Sequence, residues 1–331
     1  MRASPRAQRG VALLTAVMIV AIAAAVAVKI AFAHQVWFRQ MENVGDRGAT
    51  DLLRRGALHW ASVALLEDAA QNSIDHLGET WAQRLPTLPV DGGAISVSIE
   101  DAQSRFNLNN LWQNNAPSAA DVLTFQRLLL ELKLDPNLAN AVLDWIDPNS
   151  DVTSPGGAED IDYLNLKTPY RAANQPLASV DELRLVRGFD AKTFQALLPF
   201  VTVLPPAAGR TAINVNTAKP EVLAALANKD LAWAQRAADN LRETPVRNPG
   251  EFTKLLQLPA GAAPPLADVK TSFFLITLDT SIGRHQRSTV ALMQRDGSKG
   301  TNWIWHKPQP LIDATAGLRA SNGTDESAEP Q

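Results

Sequence analysis

The apolar and polar positions of the chain predict one long amino-terminal helix. Residues 11–28, VALLTAVMIVAIAAAVAV, carry no charge, and the apolar run extends to Ala33. Because a helix needs about 20 apolar residues to cross a bilayer core, this segment can span a membrane. Residues 34–71 repeat Leu, Ala and Trp at spacings of three and four, which indicates that the helix continues beyond the membrane. Three glycines are expected to kink it or to pack closely: Gly45, Gly48 and Gly56.

Strand patterns lie on either side of a long helical region. Residues 94–101, AISVSIED, alternate with a period of two, and strands return at residues 272–282, 287–296 and 302–307. Helical periodicity fills the region between them, in these predicted helices: 118–134, 136–146, 178–189, 190–201, 216–227, 230–243 and 248–258. The early strand must therefore pair with the late ones across the whole helical region. The pattern predicts an α+β fold, in which a long helix packs on an antiparallel sheet and a large helical domain is inserted between strands.

Composition and charge exclude several classes of protein. The chain has 331 residues, a formal net charge of −3 and no cysteine, which excludes disulfides, thiolate metal sites and cysteine nucleophiles. A net negative charge gives no general attraction to nucleic acid. Residues 213–226 and 177–190 resemble halves of helix-hairpin-helix DNA-binding modules, but neither has the complete glycine hairpin that holds phosphate. Residues 105–112 echo the same pattern, which favours repeated structural units over a nucleic-acid partner.

The richest polar stretch is an acidic loop, DWIDPNSDVTSPGGAEDIDYL, at residues 144–164. Asp147, Asn149 and Asp151 occupy alternate positions, as at the start of a calcium-binding loop. The loop is not an EF-hand, because Val152 replaces the required glycine and the next glutamate comes one residue late. Carboxylates this close repel one another without a cation, and their oxygens suit Ca²⁺. Spacing alone leaves two alternatives open: calcium binding, and a solvated acidic loop that caps neighbouring helices.

The sequence contains no recognisable catalytic motif. The GxSxG, HExxH, P-loop and dinucleotide-binding patterns are absent, and the five histidines are scattered along the chain. Clustered carboxylates such as Asp147 and Glu159 can support acid–base chemistry, but no other feature of the sequence points to a reaction. We therefore expect that the protein is not an enzyme.

The amino terminus has the pattern of a prepilin-type signal. Arg2, Arg6 and Arg9 precede the apolar run, which favours a cytoplasmic amino end and an exported remainder. The sequence RG followed by VALLTAVMIVAIAA resembles a prepilin signal, which a dedicated peptidase would cut between Gly10 and Val11. Two alternatives remain open: a secretory signal cut after AFA at residues 31–33, and an uncut membrane anchor.

One departure from the pilin pattern indicates which type of pilin-like protein the chain resembles. Type IV pilins and most pseudopilins carry glutamate at the fifth mature position, which is Thr15 in this chain. The missing glutamate and the large helical insertion resemble the K-type minor pseudopilin of type II secretion. The resemblance implies a pilin-like fold and a place at the tip of the periplasmic pseudopilus, where the protein initiates or caps assembly. The alternatives are a type IV pilus-related minor tip subunit and a soluble periplasmic calcium-binding protein.

The same resemblance implies partners, a location and a metal. The implied partners are the I-type and J-type minor pseudopilins, other type II secretion components and the prepilin peptidase. The implied location is the bacterial inner membrane, crossed once, with the bulk of the chain in the periplasm. K-type pseudopilins are associated with calcium in the helical domain, and WID…GAED.DY in this chain resembles their loop. We therefore expect calcium, with these ligands: Asp147, Asp151, Glu159, Asp160 and Asp162.

Combining the pattern with the resemblance divides the chain into six expected parts. The first three are a prepilin leader (1–10), the transmembrane part of the amino-terminal helix (11–33), and the periplasmic helix with the first strand of the pilin-like domain (34–100). The last three are the inserted helical domain (101–270), the remaining strands of the pilin-like domain (271–312) and a disordered tail (313–331).

Overall fold

The computed structural model describes residues 7–259, 262–283, 285–297 and 299–309. The start of the predicted leader and the predicted tail lie outside the described residues. The α-helices of the described part are α1 (Ala7–Gln71), α2 (Ala119–Glu131), α3 (Leu138–Ile146), α4 (Asp160–Leu164), α5 (Ala191–Leu197), α6 (Pro220–Ala227), α7 (Leu231–Glu243) and α8 (Pro249–Leu256). Its strands are β1 (Leu88–Val90), β2 (Gly93–Asp101), β3 (Phe106–Asn107), β4 (Trp112–Gln113), β5 (Ala116–Pro117), β6 (Val201–Thr202), β7 (Ile213–Asn214), β8 (Ala267–Asp268), β9 (Phe273–Ile282), β10 (His285–Asp296) and β11 (Gly300–Gln309).

The first helix, α1, is 65 residues long and continuous. At a rise of 1.5 Å per residue, it is about 98 Å long. α1 continues through Gly45, Gly48 and Gly56, and none of the three is closely packed within the described part of the chain, because a Cβ built on any of them would meet no atom within 4 Å. The next turns of α1 pack on the sheet through Ala61 and Leu65. This packing offsets the low helix propensity of the glycines.

Five strands form the antiparallel sheet on which α1 packs. Their order is β1-β2-β9-β10-β11, and every neighbouring pair is antiparallel. β2 pairs with β9 across the whole helical region, with Ile99 opposite Ile276 and Asp101 opposite Phe274. The face of the sheet that contains Ile99 and Ile276 is buried against α1. The predicted α+β fold is therefore confirmed, and the short β1 is an addition that the sequence pattern did not predict.

The inserted region consists of two helical units that share one plan. The first unit runs from β3 to β6 and the second from β7 to β8, and each of these strand pairs is parallel. The first unit contains α2 to α5, and the second contains α6 to α8. The helix predicted at residues 178–189 is wrong in type, because the chain forms a short 3-10 helix there, Val180–Leu185. The acidic loop and α4 are additions to the first unit, since the second unit passes directly from α7 to its last helix.

An asparagine at the equivalent position of each helical unit forms two hydrogen bonds with the backbone of a later residue in the same unit. In the first unit the side-chain amide of Asn109 accepts the N–H of Leu177 at 2.9 Å and donates to its carbonyl at 3.0 Å. In the second unit Asn216 binds the N–H and the carbonyl of Val246 in the same way, both at 3.0 Å. All four bonds are buried. The echo between residues 105–112 and 213–226 therefore reflects a repeated structural device.

Candidate functional site

Three buried carboxylates meet where the acidic loop leaves and rejoins the helices. Asp144 lies in the last turn of α3, Asp147 directly follows that helix, and Glu159 directly precedes α4. One side-chain oxygen from each lies within 4.8 Å of the other two. The two aspartates are three residues apart, a spacing that places them on the same side of the helix. These three residues are termed the loop triad.

Hydrogen bonds satisfy only part of the loop triad. Asp144 accepts the N–H of Thr153 at 3.0 Å, and Asp147 accepts the N–H of Asn149 at 3.1 Å. Both side-chain oxygens of Glu159 are buried. The carboxylate faces the backbone N–H of Asp162 in a capping-box arrangement, but neither oxygen has a well-formed hydrogen bond among the described residues. Burial, together with the charges of Asp144 and Asp147, raises the pKa of Glu159 to about 7. Burial likewise raises the pKa of Asp147 to about 6, so ionising all three carboxylates without a cation is costly.

The structure brings together two of the five predicted ligands. Asp147 and Glu159 belong to the loop triad, whereas Asp151 is exposed in the loop. Asp144 is not among the predicted ligands, because the alternating pattern of polar residues begins at Asp147. The available signal was the three-residue spacing of Asp144 and Asp147 at the end of a predicted helix.

The other two predicted ligands are held by arginines and lie outside the loop triad. Asp160 forms an ion pair with Arg171 at 2.8 Å, and Asp162 forms one with Arg187 at 2.8 Å. The second oxygen of Asp162 accepts the N–H of Glu159 at 3.2 Å. These carboxylates therefore fix the start of α4 to the rest of the first helical unit, and their negative charge is already compensated by the chain.

The donor atoms of the loop triad fit a hard cation such as Ca²⁺. All of them are carboxylate oxygens, and the two free oxygens of Glu159 can bind a single ion together. Gly157 allows the loop to lie close against the triad, because a Cβ built there would clash with Oδ2 of Asp144 and the carbonyl oxygen of Thr153. The site thus combines surplus negative charge, unpaired oxygens and a loop shape that a larger residue would not permit.

A second group of three carboxylates lies at the junction between α1, the sheet and the helical units. Asp68, Asp75 and Glu79 each bring an oxygen within 4.8 Å of the other two, and they are termed the junction triad. Arg295 of β10 is only 6% exposed and forms ion pairs with Asp68 and Asp75. It also donates to the carbonyl of Leu65 in α1 at 3.2 Å. Here the chain itself supplies a cation.

The predicted processing site lies on α1. In the described residues one helix is long and apolar enough to cross a membrane, with a mean hydropathy of 2.9 over its most apolar window. That helix is α1, and both Gly10 and Val11 fall within it. The Thr15 hydroxyl donates to the carbonyl of Ala12 at 2.9 Å. The side chain at this position is therefore satisfied within its own helix and carries no charge.

The face of α1 that points away from the sheet carries an apolar stripe. Leu52 is 72% exposed and Trp60 is 42% exposed. Gly48 comes four residues before Leu52, and Gly56 lies between Leu52 and Trp60, four residues from each. The space beside each glycine is open. Side chains four residues apart form the ridges by which helices pack on one another. The residues of this α1 stripe are Gly48, Leu52, Gly56, Trp60 and Val63.

Comparison with known proteins relates this architecture to one family. The family described as "Type II secretion system (T2SS), protein K" matches residues 104–206 and, separately, residues 213–271. These two ranges coincide with the two helical units. A type II secretion system protein K of Pseudomonas aeruginosa is 33% identical over 311 residues, covering 88% of this chain and 90% of that relative. One from Klebsiella pneumoniae is 32% identical, covering 88% and 93%.

A solved structure shares the fold. It is the crystal structure of the GspK–GspI–GspJ complex from the type 2 secretion system of enterotoxigenic Escherichia coli. One chain of that complex is 26% identical in sequence and superposes with a TM-score of 0.70. The match covers 82% of the present chain and all of the other.

Proposed function

The chain belongs to the protein K family of the type II secretion system, and from this premise we propose that it is the minor pseudopilin at the tip of the pseudopilus. One observation carries the proposal: the helical units lie at the end of α1 opposite its apolar segment. There the N–H of Asp75, just beyond α1, donates to the carbonyl of Val269 at 2.8 Å. A subunit stacked above would meet the helical units. The protein therefore acts by assembly, initiating or capping the fibre that exports folded proteins.

The α1 stripe supports assembly with the I-type and J-type minor pseudopilins. The related Escherichia coli structure is a complex of GspK with GspI and GspJ. In the present chain, the large side chains of Leu52 and Trp60 alternate with the open positions at Gly48 and Gly56. This arrangement suits the ridge-into-groove packing of partner helices. Exposed apolar residues arranged on one face also favour a protein interface over a solvated surface.

Charge reversal on the α1 stripe tests this assembly. The double substitution Leu52→Glu and Trp60→Glu places two charges on the exposed face without touching the buried face. We expect it to abolish co-purification with the I-type and J-type pseudopilins and to stop secretion, while the melting temperature stays close to wild type. Leu130→Glu, at a residue of α2 that is 57% exposed, is the matched control and should retain both activities. Complex formation by the double variant would contradict the proposal.

The membrane orientation and processing follow from the amino terminus. With Arg2, Arg6 and Arg9 before the apolar segment, the amino end stays in the cytoplasm and the rest is exported. A prepilin peptidase then cuts between Gly10 and Val11. Amino-terminal sequencing of the mature protein tests this step. A start at Val11 with a methylated amine is expected, and a start at His34 would show that a secretory signal peptidase acts instead.

The loop triad supports a calcium site in the first helical unit. Asp144, Asp147 and Glu159 would hold the ion, which would neutralise their charge and tie the end of α3 to the start of α4. Two observations support this assignment: the unpaired oxygens of Glu159 and the absence of a basic partner in the hydrogen bonds described for the triad. This is a structural metal, because it would stabilise the loop and take no part in a reaction.

Thermal unfolding of the full chain in detergent tests the calcium site. A ligand present at 100 times its Kd stabilises the folded state by about 2.7 kcal/mol, which corresponds to a rise of about 5–10 °C in Tm. We expect this rise when Ca²⁺ is added to protein stripped with a chelator, and a smaller one with Mg²⁺. Asp144→Asn and Glu159→Gln should each remove most of it. No shift in millimolar Ca²⁺ would refute the assignment.

A further inference from the structure

The segment that follows α1, residues 72–82, joins the sheet to the helical units. The side chain of Asp75 accepts the N–H of Thr271 at 2.8 Å, and its backbone carbonyl accepts the side-chain amide of Asn214 at 3.0 Å. Both partners belong to the second helical unit or to the chain that leaves it. At the other end of the segment, Trp81 packs edge-on against Phe274 of β9, with ring centroids 5.2 Å apart. The position of this segment therefore couples the two parts of the molecule.

The charges around this segment do not balance. Arg295 pairs with Asp68 and Asp75, so a third ionised carboxylate, that of Glu79, would leave surplus negative charge in a buried site. One oxygen of Glu79 accepts the indole N–H of Trp81 at 2.7 Å and the backbone N–H of His76. Its other oxygen is buried without a hydrogen-bond partner among the described residues. Glu79 thus holds the segment in place with one oxygen and lacks compensation at the other.

We propose that residues 72–82 form a proton-dependent latch between the sheet and the helical units, with Glu79 as the group that gains or loses the proton. The titratable and charged groups that face it come from three elements. Asp68 lies on α1, Asp75 and His76 lie on the segment itself, and Arg295 lies on β10. The His76 ring nitrogen Nε2 is 3.9 Å from the unpaired oxygen of Glu79. The latch is closed when Glu79 is protonated. When Glu79 loses its proton, the carboxylate requires hydration and the segment opens.

The direction of the pH effect follows from the burial of Glu79. Burial, with a smaller contribution from the charges of Asp68 and Asp75, raises the pKa of this carboxyl to about 7. In an open segment the carboxyl would return to its ordinary value of about 4.3. A pKa that is higher in the closed state stabilises the closed state below the ordinary value, and this contribution is lost as the pH rises through 7. By linkage, the opening constant of the segment increases about tenfold between pH 6 and pH 8.

Hydrogen exchange measured by mass spectrometry on the full chain in detergent tests the latch. Exchange rates of peptides covering residues 72–82 are divided by the intrinsic rates at each pH, which yields the opening constant. We expect the tenfold rise between pH 6 and pH 8 for residues 72–82. Residues 267–271 should show the same rise, because Val269 and Thr271 bind Asp75. The far end of the β9–β10 hairpin, where Ile282 pairs with His285, should show none.

Two glutamate variants separate the latch from a general effect of pH. Glu79→Gln keeps an acceptor for Trp81 and cannot ionise, so the opening constant should become independent of pH. Glu67→Gln, at an exposed position of α1, should keep the tenfold rise. A wild-type opening constant that is the same at pH 6 and pH 8 would overturn the proposal without any variant. A tenfold rise that persists in Glu79→Gln would overturn it as well.

Discussion

The loop triad and the junction triad contain the same chemistry in two different settings. Each brings oxygens of three carboxylates within 4.8 Å of one another; all three residues of the loop triad are buried, and in the junction triad Asp75 and Glu79 are buried and Asp68 is partly buried. In the junction triad, Arg295 lies among the carboxylates and pairs with two of them. In the loop triad, the described hydrogen bonds come from backbone N–H groups, and Glu159 receives none. The two groups therefore differ in whether the chain provides the positive charge.

This difference separates a structural ion pair from the proposed site for a free cation. Buried carboxylates are costly unless they are paired, so a group without an internal cation must bind protons or a metal ion. In the junction triad, the arginine balances one of the three negative charges, and a proton on Glu79 would remove another. The loop triad has no such partner among the described residues and suits a divalent ion. Proximity of acidic residues alone would not have distinguished the two groups.

Removal of the arginine should have the largest effect. Arg295→Met keeps much of the side-chain length and leaves the buried Asp75 and the partly buried Asp68 without their partner. We expect a loss of about 3–5 kcal/mol in the free energy of unfolding, measured by chemical denaturation. Arg242→Met, at an exposed arginine paired with Asp239, should change it by about 0.5 kcal/mol or less. Equal losses in the two variants would show that the junction triad does not depend on its cation.

A smaller effect is expected from distortion of the loop triad. Gly157→Ala introduces a methyl group that clashes with Asp144 and Thr153. We expect a loss of about 1–3 kcal/mol in stability and a reduced rise in Tm on addition of Ca²⁺. Gly300→Ala, where a Cβ would meet no atom within 4 Å, should leave both unchanged. An undiminished calcium response in the first variant would place the ion elsewhere.

The smallest effect is expected where an aspartate is already paired. Asp160→Asn breaks the ion pair with Arg171, which is 72% exposed, so the loss should be at most about 1 kcal/mol. The calcium-induced rise in Tm should remain as in wild type. If calorimetry shows that the rise disappears, Asp160 belongs to the ligand set and its pairing with Arg171 does not prevent metal binding.

The fold could be predicted because its patterns are local. The period-two alternation of residues 94–101 identified β2. Because the other strand patterns all lie after the helical region, β2 had to pair with those later strands. The repeat of helical units was visible in the echo between residues 105–112 and 213–226. The type of the segment at residues 178–189 was not predicted, because a few apolar residues at helical spacing do not separate a 3-10 helix from an α-helix.

The sites were harder to predict, because they depend on contacts between distant residues. Asp160 and Asp162 look equivalent to Glu159 in the sequence, and only the folded chain brings Arg171 and Arg187 to them. The junction triad gave no local signal, since its cation, Arg295, is more than 200 residues away from Asp75 along the chain. Whether a cationic side chain lies beside a group of carboxylates is therefore decided by the tertiary structure.

The pairing of β2 with β9 has an evolutionary consequence. Asp101 and Phe274 are opposite one another, so the inserted region leaves and re-enters the sheet at a single point. A module with adjacent ends can be acquired in one genetic insertion and exchanged as a unit, because β2 and β9 can pair as a hairpin with or without it. Selection can then adapt the tip module and the fibre-forming body separately. The residues obliged to change together are few, chiefly the buried polar groups that meet around Asp75 and Asn214.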